Sequence, residues 1–350
     1  MRAVQLMADC VVAVNEVAEP VPGAGDVLVQ VRAAGLCHSD VTVTQFPGWP
    51  LVPMTLGHEI VGTVVDRAPD VTDFAVGDAV LVYLVWSCGT CRTCLEGREN
   101  VCVDAGLRIG MPPCPGLGPN SGGMAEYVTV PARHLEKIGD LDPVHAVPMA
   151  DAGLTTMHAI NTARPRLTPG ATAVVIGVGG LGHVAVQILR QTTASQVIAI
   201  DTDEAKLAAA KARGADVTLR SDAATAEAVL ELTGGYGADV VLEIVGAQAT
   251  VDLAGQIVAP DGAVRLLGVG DGTLDVRPMT MGGPLPWGVD IRRPYAGTRN
   301  DLRQAIDLLR ARRIETDVTT YPLERALDAF ADLDAGRVNG RAVLIPGSPA

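Results

Sequence analysis

The sequence predicts an α/β protein of two domains: a β-rich module, and a doubly wound parallel sheet with helices on both faces. Three observations predict it. The first 150 or so residues carry short apolar runs punctuated by Gly and Pro, with no long helical pattern. From about residue 151 the texture changes to strand, glycine turn, helix, repeated. The 350 residues are too many for one simple core and comfortable for two.

In order, "DVLVQVRAAG", "HEIVGTVVDRA", "VGDAVLVYLV" and "GGMAEYVTVP" read as strands of the first module. "AGLTTMHAINTA" reads as a helix leading out of it. Three βα units follow: "TAVVIGVGGLGHVAVQILRQT", "QVIAIDTDEAKLAAAKARGAD" and "DVVLEIVGAQATVDLAGQIVAPDG". "AVRLLGVG" adds a strand to the same parallel sheet. Beyond about residue 289, "NDLRQAIDLLRARRI" has apolar positions recurring at three and four, and "GRAVLIP" closes the chain as a strand.

Composition narrows the function. Hydrophobic residues make up 48% and charged residues 19%, the balance of a folded chain. A net charge of -13 with no compensating basic patch argues against nucleic-acid binding. No basic-then-apolar signal segment opens the sequence and no apolar run is long enough for a membrane span, so a cytoplasmic protein is expected. Seven cysteines in that setting read as thiols or metal ligands, not disulfides.

"GVGGLG", Gly177 to Gly182, follows an apolar strand and opens an apolar-periodic helix, the context a dinucleotide fingerprint requires. Gly177 permits the tight turn, Gly179 lets backbone approach a pyrophosphate, and Gly182 allows close helix–sheet packing, with Gly180 and Leu181 completing the turn. Asp201 ends the next strand, placed to accept hydrogen bonds from both adenosine ribose hydroxyls. A carboxylate there repels a 2′-phosphate, which favours NAD over NADP. Gly268 and Gly270, after a later strand, are expected near the nicotinamide.

Cys88, Cys91, Cys94 and Cys102 lie within one short loop and read as a tetrahedral structural zinc site. An iron–sulfur cluster is the competing reading from spacing. Cys37 in "AGLCHSD", His58 in "GHE" and Asp151 in "MADAGLTT" are chemically suited to a second zinc, with Glu59 beside His58 able to coordinate or stand behind. Their separations in sequence leave a free buried cysteine and a satisfied core histidine as the alternative.

Taken together, "GLCHSD" followed by "GHE", the four-cysteine loop, and "GVGGLG" followed by Asp201 resemble the zinc-dependent medium-chain alcohol dehydrogenases along essentially the whole chain. The nearest likeness is to actinobacterial NAD-dependent secondary alcohol dehydrogenases, in which an aspartate replaces the second catalytic cysteine ligand. The resemblance implies a GroES-like catalytic domain over 1–152 with its zinc loop at 86–103. It also implies a Rossmann NAD-binding domain over 153–289 and a return to the catalytic domain over 290–350. It implies that Cys37, His58 and Asp151 hold catalytic zinc and that Glu59 enters the coordination shell during ligand exchange. Ser39 would relay the substrate proton, and His38 and Arg341 would approach the cofactor phosphates. Thr42 stands where several family members carry a relay histidine, so the last step of proton release must differ.

The expected activity is hydride transfer between NAD and an alcohol, with one catalytic and one structural Zn2+ per chain, in a homodimer or homotetramer. Trp49, Leu51, Trp86, Leu107, Trp287 and Tyr295 are candidates for an apolar pocket wall, which leans toward a hydrophobic secondary alcohol. Rival readings are a polyol, amino alcohol or aldehyde-adduct dehydrogenase, a zinc-free quinone or enoyl reductase, and a non-enzymatic NAD sensor.

Overall fold

The computed structural model describes residues 1–106, 113–118, 120–277 and 285–347. They divide into two units. The first lies within 1–154, 298–310 and 315–350, and the second within 155–297 and 311–314.

The run Asp26–Leu36, eleven residues of mostly Val, Leu and Ala, is the spine of the first unit. It pairs antiparallel with Glu59–Arg67 on one side and with Arg341–Ile345 on the other. Its first half also pairs with Tyr127–Pro131. The sheet extends through Ala79–Val82 to Leu135–Lys137, and at the opposite edge Val318–Pro322 lies parallel to Arg341–Ile345. Both ends of the chain therefore build one sheet. A smaller sheet of Val12–Glu16, Arg2–Leu6 and Met54–Thr55 covers part of it. Val27, Val29, Val31, Ile60, Val80 and Leu344 are fully or almost fully buried in one cluster, each contributing roughly 1.5–3 kcal/mol relative to exposure for the larger side chains.

The second unit is a six-stranded parallel sheet in the order Val217–Arg220, Gln196–Asp201, Thr172–Ile176, Ala238–Glu243, Val258–Leu266, Asp290–Arg292. Numbered along the chain this is 3-2-1-4-5-6, the doubly wound Rossmann order. Thr172–Ile176 is buried at every position, as expected for a central strand covered on both faces. The order reverses between Thr172–Ile176 and Ala238–Glu243, so the ligand crevice of such a sheet falls at their carboxyl ends.

Two differences from the sequence reading have structural reasons. The handover expected at residue 290 comes later, because Asp290–Arg292 hydrogen-bonds to Val258–Leu266 and carries 290–297 with the second unit. Between the amphipathic helix Arg299–Arg310 and the last strand lie Val318–Pro322 and a further helix, Ala326–Asp334, neither read from the sequence.

Candidate active site

The spine strand stops at Leu36, and Cys37, still extended at φ -115 and ψ 161, begins the helix His38–Thr44 as its N-cap. Asp40 closes a capping box by accepting the Cys37 N–H at 3.0 Å through Oδ2. Its other oxygen lies 3.3 Å from His58 Nδ1. Asp40 is wholly buried, and this contact orients the imidazole so that Nε2 faces the remaining donors. The sequence reading missed Asp40; the available signal was its place three residues after a cysteine that caps a helix.

Sheet register supplies the next two groups. Val343, Gly35 and Glu59 form one row across three strands, so they share a face. Arg341, two positions before Val343, lies on that face too. Glycine at 35 leaves a gap over which the Arg341 guanidinium reaches Glu59, with Nε donating to Oε2 at 2.9 Å and Nη2 to Oε1. Nη2 also donates to Asp151 Oδ2 at 2.6 Å. The Arg341 guanidinium, which the resemblance assigned to the cofactor phosphates, is buried and also engages these two carboxylates.

Donor atoms of Cys37, His58, Glu59 and Asp151 all lie within 4.8 Å of one another. Ligands at about 2.0–2.3 Å from a tetrahedral zinc stand roughly 3.3–3.8 Å apart. Here Cys37 Sγ and Asp151 Oδ2 are separated by 3.5 Å, His58 Nε2 and Glu59 Oε1 by 3.8 Å, and His58 Nε2 and Asp151 Oδ2 by 3.9 Å. The electrostatics agree with a dication. Burial works against a charged His58, yet Asp40 and Asp151 hold its pKa well above the ordinary value. Burial pushes Glu59 up to about 7, with Asp151 adding to the rise and Arg341 opposing it. One guanidinium thus faces several acidic groups, and a zinc ion would neutralise the excess.

Ser39, half-buried, has its hydroxyl 3.6 Å from Cys37 Sγ. His38 and Thr42 are exposed on the same helix, and the Thr42 hydroxyl donates to the His38 carbonyl at 2.9 Å. Of the pocket candidates, Trp49 and Trp86 are partly buried and pack against the first unit's core. Trp86 stacks on His134 with ring centroids 5.6 Å apart. Leu51 and Trp287 are exposed, Tyr295 is half-buried, and Leu107 lies outside the described residues.

The second cluster, Cys88, Cys91, Cys94 and Cys102, is formed by one loop whose short helix Arg92–Leu95 starts directly after Cys91. Four sulfurs around one zinc stand about 3.8 Å apart. Cys88–Cys94, Cys91–Cys94 and Cys91–Cys102 are separated by 3.9, 3.5 and 3.8 Å. Backbone N–H groups of Thr90 and Cys91 already point at the Cys88 sulfur. These distances fit a closed structural site.

In the second unit, Gly177 has φ 90, and a Cβ on Gly182 would lie 2.0 Å from the Gly177 carbonyl oxygen. A Cβ on Gly179 would meet nothing within 4 Å, so backbone at this point of the turn faces open space. The helix Gly182–Thr192 that follows has no side-chain N-cap; its His183 and Val184 N–H groups donate to the Gly179 and Leu181 carbonyls, so its positive end opens directly from the glycine turn. Asp201 accepts the Val178 N–H at 2.8 Å and the Asp203 N–H at 3.0 Å, fixing its carboxylate to the turn. The site fits a dinucleotide. Gly268 and Gly270 are explained by backbone packing, since a Cβ on either would come within 2.4 Å of Gly246 backbone atoms.

A metal-binding unit built from both chain ends, together with a fingerprinted Rossmann unit, defines a zinc-dependent dehydrogenase. Comparison with known proteins agrees. Residues 23–140 match the alcohol dehydrogenase GroES-like domain, and residues 180–311 match the zinc-binding dehydrogenase domain. An alcohol dehydrogenase of Geobacillus stearothermophilus is 32% identical over 95% of this chain and 94% of its own length. The D-arabinose 1-dehydrogenase (NADP(+)) of Saccharolobus solfataricus is 33% identical over the same shares. The crystal structure of the alcohol dehydrogenase from Aeropyrum pernix superposes with a TM-score of 0.90 at 32% identity, covering 99% of this chain and 100% of that one.

The chain belongs to the zinc-dependent medium-chain dehydrogenase/reductase family, and is a zinc-binding, NAD(P)-dependent oxidoreductase of alcohol or carbonyl substrates. These relatives are bacterial and archaeal alcohol and D-arabinose dehydrogenases, a broader kinship than the actinobacterial likeness the sequence suggested. No helix among the described residues is long and apolar enough to cross a membrane.

Proposed function

We propose that the protein is an NAD-dependent dehydrogenase of hydrophobic secondary alcohols, converting alcohol to ketone reversibly. The observation that carries the reading is the convergence of Cys37, His58, Glu59 and Asp151 on one point, next to the Ser39 hydroxyl. Cys37, His58 and Asp151 would hold the catalytic zinc, and Cys88, Cys91, Cys94 and Cys102 the structural one. When bound, zinc supplies Lewis acidity that lowers the pKa of an alcohol oxygen, and NAD accepts the hydride.

The chain's own residues do the rest. Asp40 holds His58 in the orientation that presents Nε2. Ser39 takes the hydroxyl proton of the alcohol and passes it outward; in the reverse direction it returns that proton to the carbonyl oxygen. Thr42 has no basic group, so the proton continues through water or the ribose hydroxyls. Glu59, tied to Arg341, would be a further carboxylate within reach of the metal. Asp201 accepts the ribose hydroxyls, and its charge with no basic neighbour at Thr202 or Asp203 supports NAD over NADP. The turn Gly177–Gly182 receives the pyrophosphate.

Substrate choice rests on the apolar character of Trp49 and Trp86. The D-arabinose dehydrogenase relative makes polyols and aldoses the alternatives to test. We also place the protein in the cytoplasm, as a homodimer or homotetramer. The open edge of Asp290–Arg292 and the exposed Trp287 support that assembly.

The test follows NADH absorbance with NAD and a panel of aliphatic, aryl and polyol secondary alcohols, with zinc measured on the same sample. Turnover with about two zincs per chain is expected, and Asp151→Ala should abolish it while one zinc remains. Asp201→Ala should narrow the preference for NAD over NADP. No turnover on any alcohol, with a single zinc bound, would return the field to the reductase and sensor readings.

A further inference from the structure

One wholly buried acidic side chain has no place in the chemistry above. Glu243 ends the strand Ala238–Glu243, beside the point where the sheet order reverses, and is 1% exposed. Its Oε1 accepts the backbone N–H groups of Val245 at 2.9 Å and Gly246 at 2.8 Å. Its own carbonyl oxygen accepts those of Leu267 at 2.7 Å and Gly268 at 3.1 Å. A single residue thus ties together the loops that leave two adjacent strands at their carboxyl ends.

Both loops depend on that tie. Gly246, at φ 84, leaves so little room that a Cβ would come within 2.9 Å of Gly268 and Gly270 backbone atoms. The Gly272 N–H donates to the Gly246 carbonyl at 2.9 Å. On the other side, Val245 is set against the fingerprint turn, since a Cβ on Gly177 would lie 2.6 Å from Val245 Cγ2. Removing the carboxylate leaves the buried Gly246 N–H, and the Val245 N–H beside it, without their acceptor, which the loop relieves by moving.

We propose that Glu243 is a positioning residue for the dinucleotide. Its carboxylate fixes Val245 and Gly246, and through them the Gly268–Gly272 backbone and the first glycine of the fingerprint, at the spacing the bound cofactor requires. The proposal rests on the NAD reading above. Glu243 touches no reacting atom; it acts through the backbone it holds.

The experiment titrates NADH into the full-length, metal-loaded protein by nicotinamide fluorescence, with melting temperature, KM for NAD and KM for alcohol recorded in parallel. Glu243→Ala should weaken NADH at least tenfold and raise KM for NAD, while KM for alcohol moves less than twofold. Glu243→Gln keeps an acceptor oxygen and should restore binding to within about threefold of the parent. Glu243→Asp, shorter by one methylene, should bind NADH less tightly than Glu243→Gln; together with it, this variant carries the test if alanine prevents folding. Amides of Val245, Gly246 and Gly268 should exchange faster in cofactor-free Glu243→Ala. NADH affinity within twofold of the parent in the alanine or aspartate variant would overturn the proposal, as would equal rises in both KM values. A parent protein that binds no dinucleotide at all would instead remove the cofactor reading itself.

Discussion

Arg341 and Glu59 lie 282 residues apart in sequence and form a bidentate ion pair in which both side chains are buried. The pair joins the last strand to the strand that carries His58 at its start, and it holds Glu59 directly behind the candidate metal ligands. Burial of two charges is unfavourable unless each satisfies the other. Removing one should therefore cost more than removing both. Arg341→Ala is expected to destabilise the metal-free protein by about 3–5 kcal/mol, the range seen when a buried pair loses one partner. Glu59→Gln combined with Arg341→Met should recover most of that loss. Urea denaturation of these variants, with Glu59→Gln and Arg341→Met alone, checks this, and additive losses would show the pair to be uncoupled.

Gly35 occupies the space over which that pair forms. A Cβ at this position would stand 2.2 Å from Glu59 Oε2 and 2.8 Å from its Cβ. Gly35→Ala should destabilise by about 1–3 kcal/mol through overpacking. It should also displace Glu59 and lower zinc occupancy at the Cys37 cluster. The four-cysteine cluster depends on a different loop and should keep its metal. Zinc content per chain, before and after mild chelation, distinguishes the two sites.

The candidate ligands were legible in the sequence because Cys37, His58 and the four loop cysteines are chemically distinct in an apolar chain, and the Rossmann unit because its strand–glycine–helix rhythm is local. The contacts of Arg341 were not legible, for the opposite reason. Its partner is set by register across three strands, Val343 opposite Gly35 opposite Glu59, which no local pattern encodes. Asp40 offered only its place three residues after Cys37 as a signal, and Glu243 looks like an ordinary residue at the end of a strand; packing reveals that one orients His58 and the other holds two loops. The helix Ala326–Asp334 does bury Ala326, Ala329 and Leu333 at helical spacing. Its alanines give that stripe too little hydrophobic contrast with the intervening acids to read.

His134 makes the protein acid-sensitive independently of either metal cluster. It is buried, stacked on Trp86, and its Nε2 has no hydrogen-bond partner among the described residues. Burial first, then Arg133 and Arg299, push its pKa down to about 3. An unfolded histidine titrates near ~6.5. Between those values the unfolded chain takes a proton that the folded chain refuses, so stability falls as pH drops from about 6.5 toward 3. The slope from this one group reaches about 1.4 kcal/mol per pH unit. His134→Phe keeps a stacking ring and removes the proton site. Its stability at pH 7 should match or exceed the parent's, and its loss between pH 6.5 and 4.5 (values set by ~6.5 for the free side chain) should be visibly shallower. Parallel curves for the two proteins would assign the acid sensitivity elsewhere.

The structural zinc loop should be coupled to the helix Arg299–Arg310 through Glu99. That helix is capped by a reciprocal pair, with Thr298 N–H and hydroxyl donating to Asp301 Oδ2 at 2.9 and 2.7 Å. The next N–H, that of Arg299, goes to Glu99 Oε1 at 2.6 Å. Glu99 is held in turn by the loop, since its carbonyl accepts the N–H of the ligand Cys102 at 3.1 Å. The Arg299 guanidinium fastens the same corner to Glu136 at 2.7 Å and to the Leu135 carbonyl at 2.9 Å. A carboxylate at a helix N-terminus stabilises it both as an acceptor and through the dipole. Glu99→Ala should therefore cost about 0.5–2 kcal/mol, and Glu99→Gln less. Stripping zinc from the cysteine cluster frees Cys102 and loosens Glu99, so alanine at 99 should then cost little further. Urea denaturation of parent and Glu99→Ala, each with and without the loop metal, forms the cycle that tests it. An undiminished effect of Glu99→Ala in the stripped protein would show that the helix and the zinc loop are held independently.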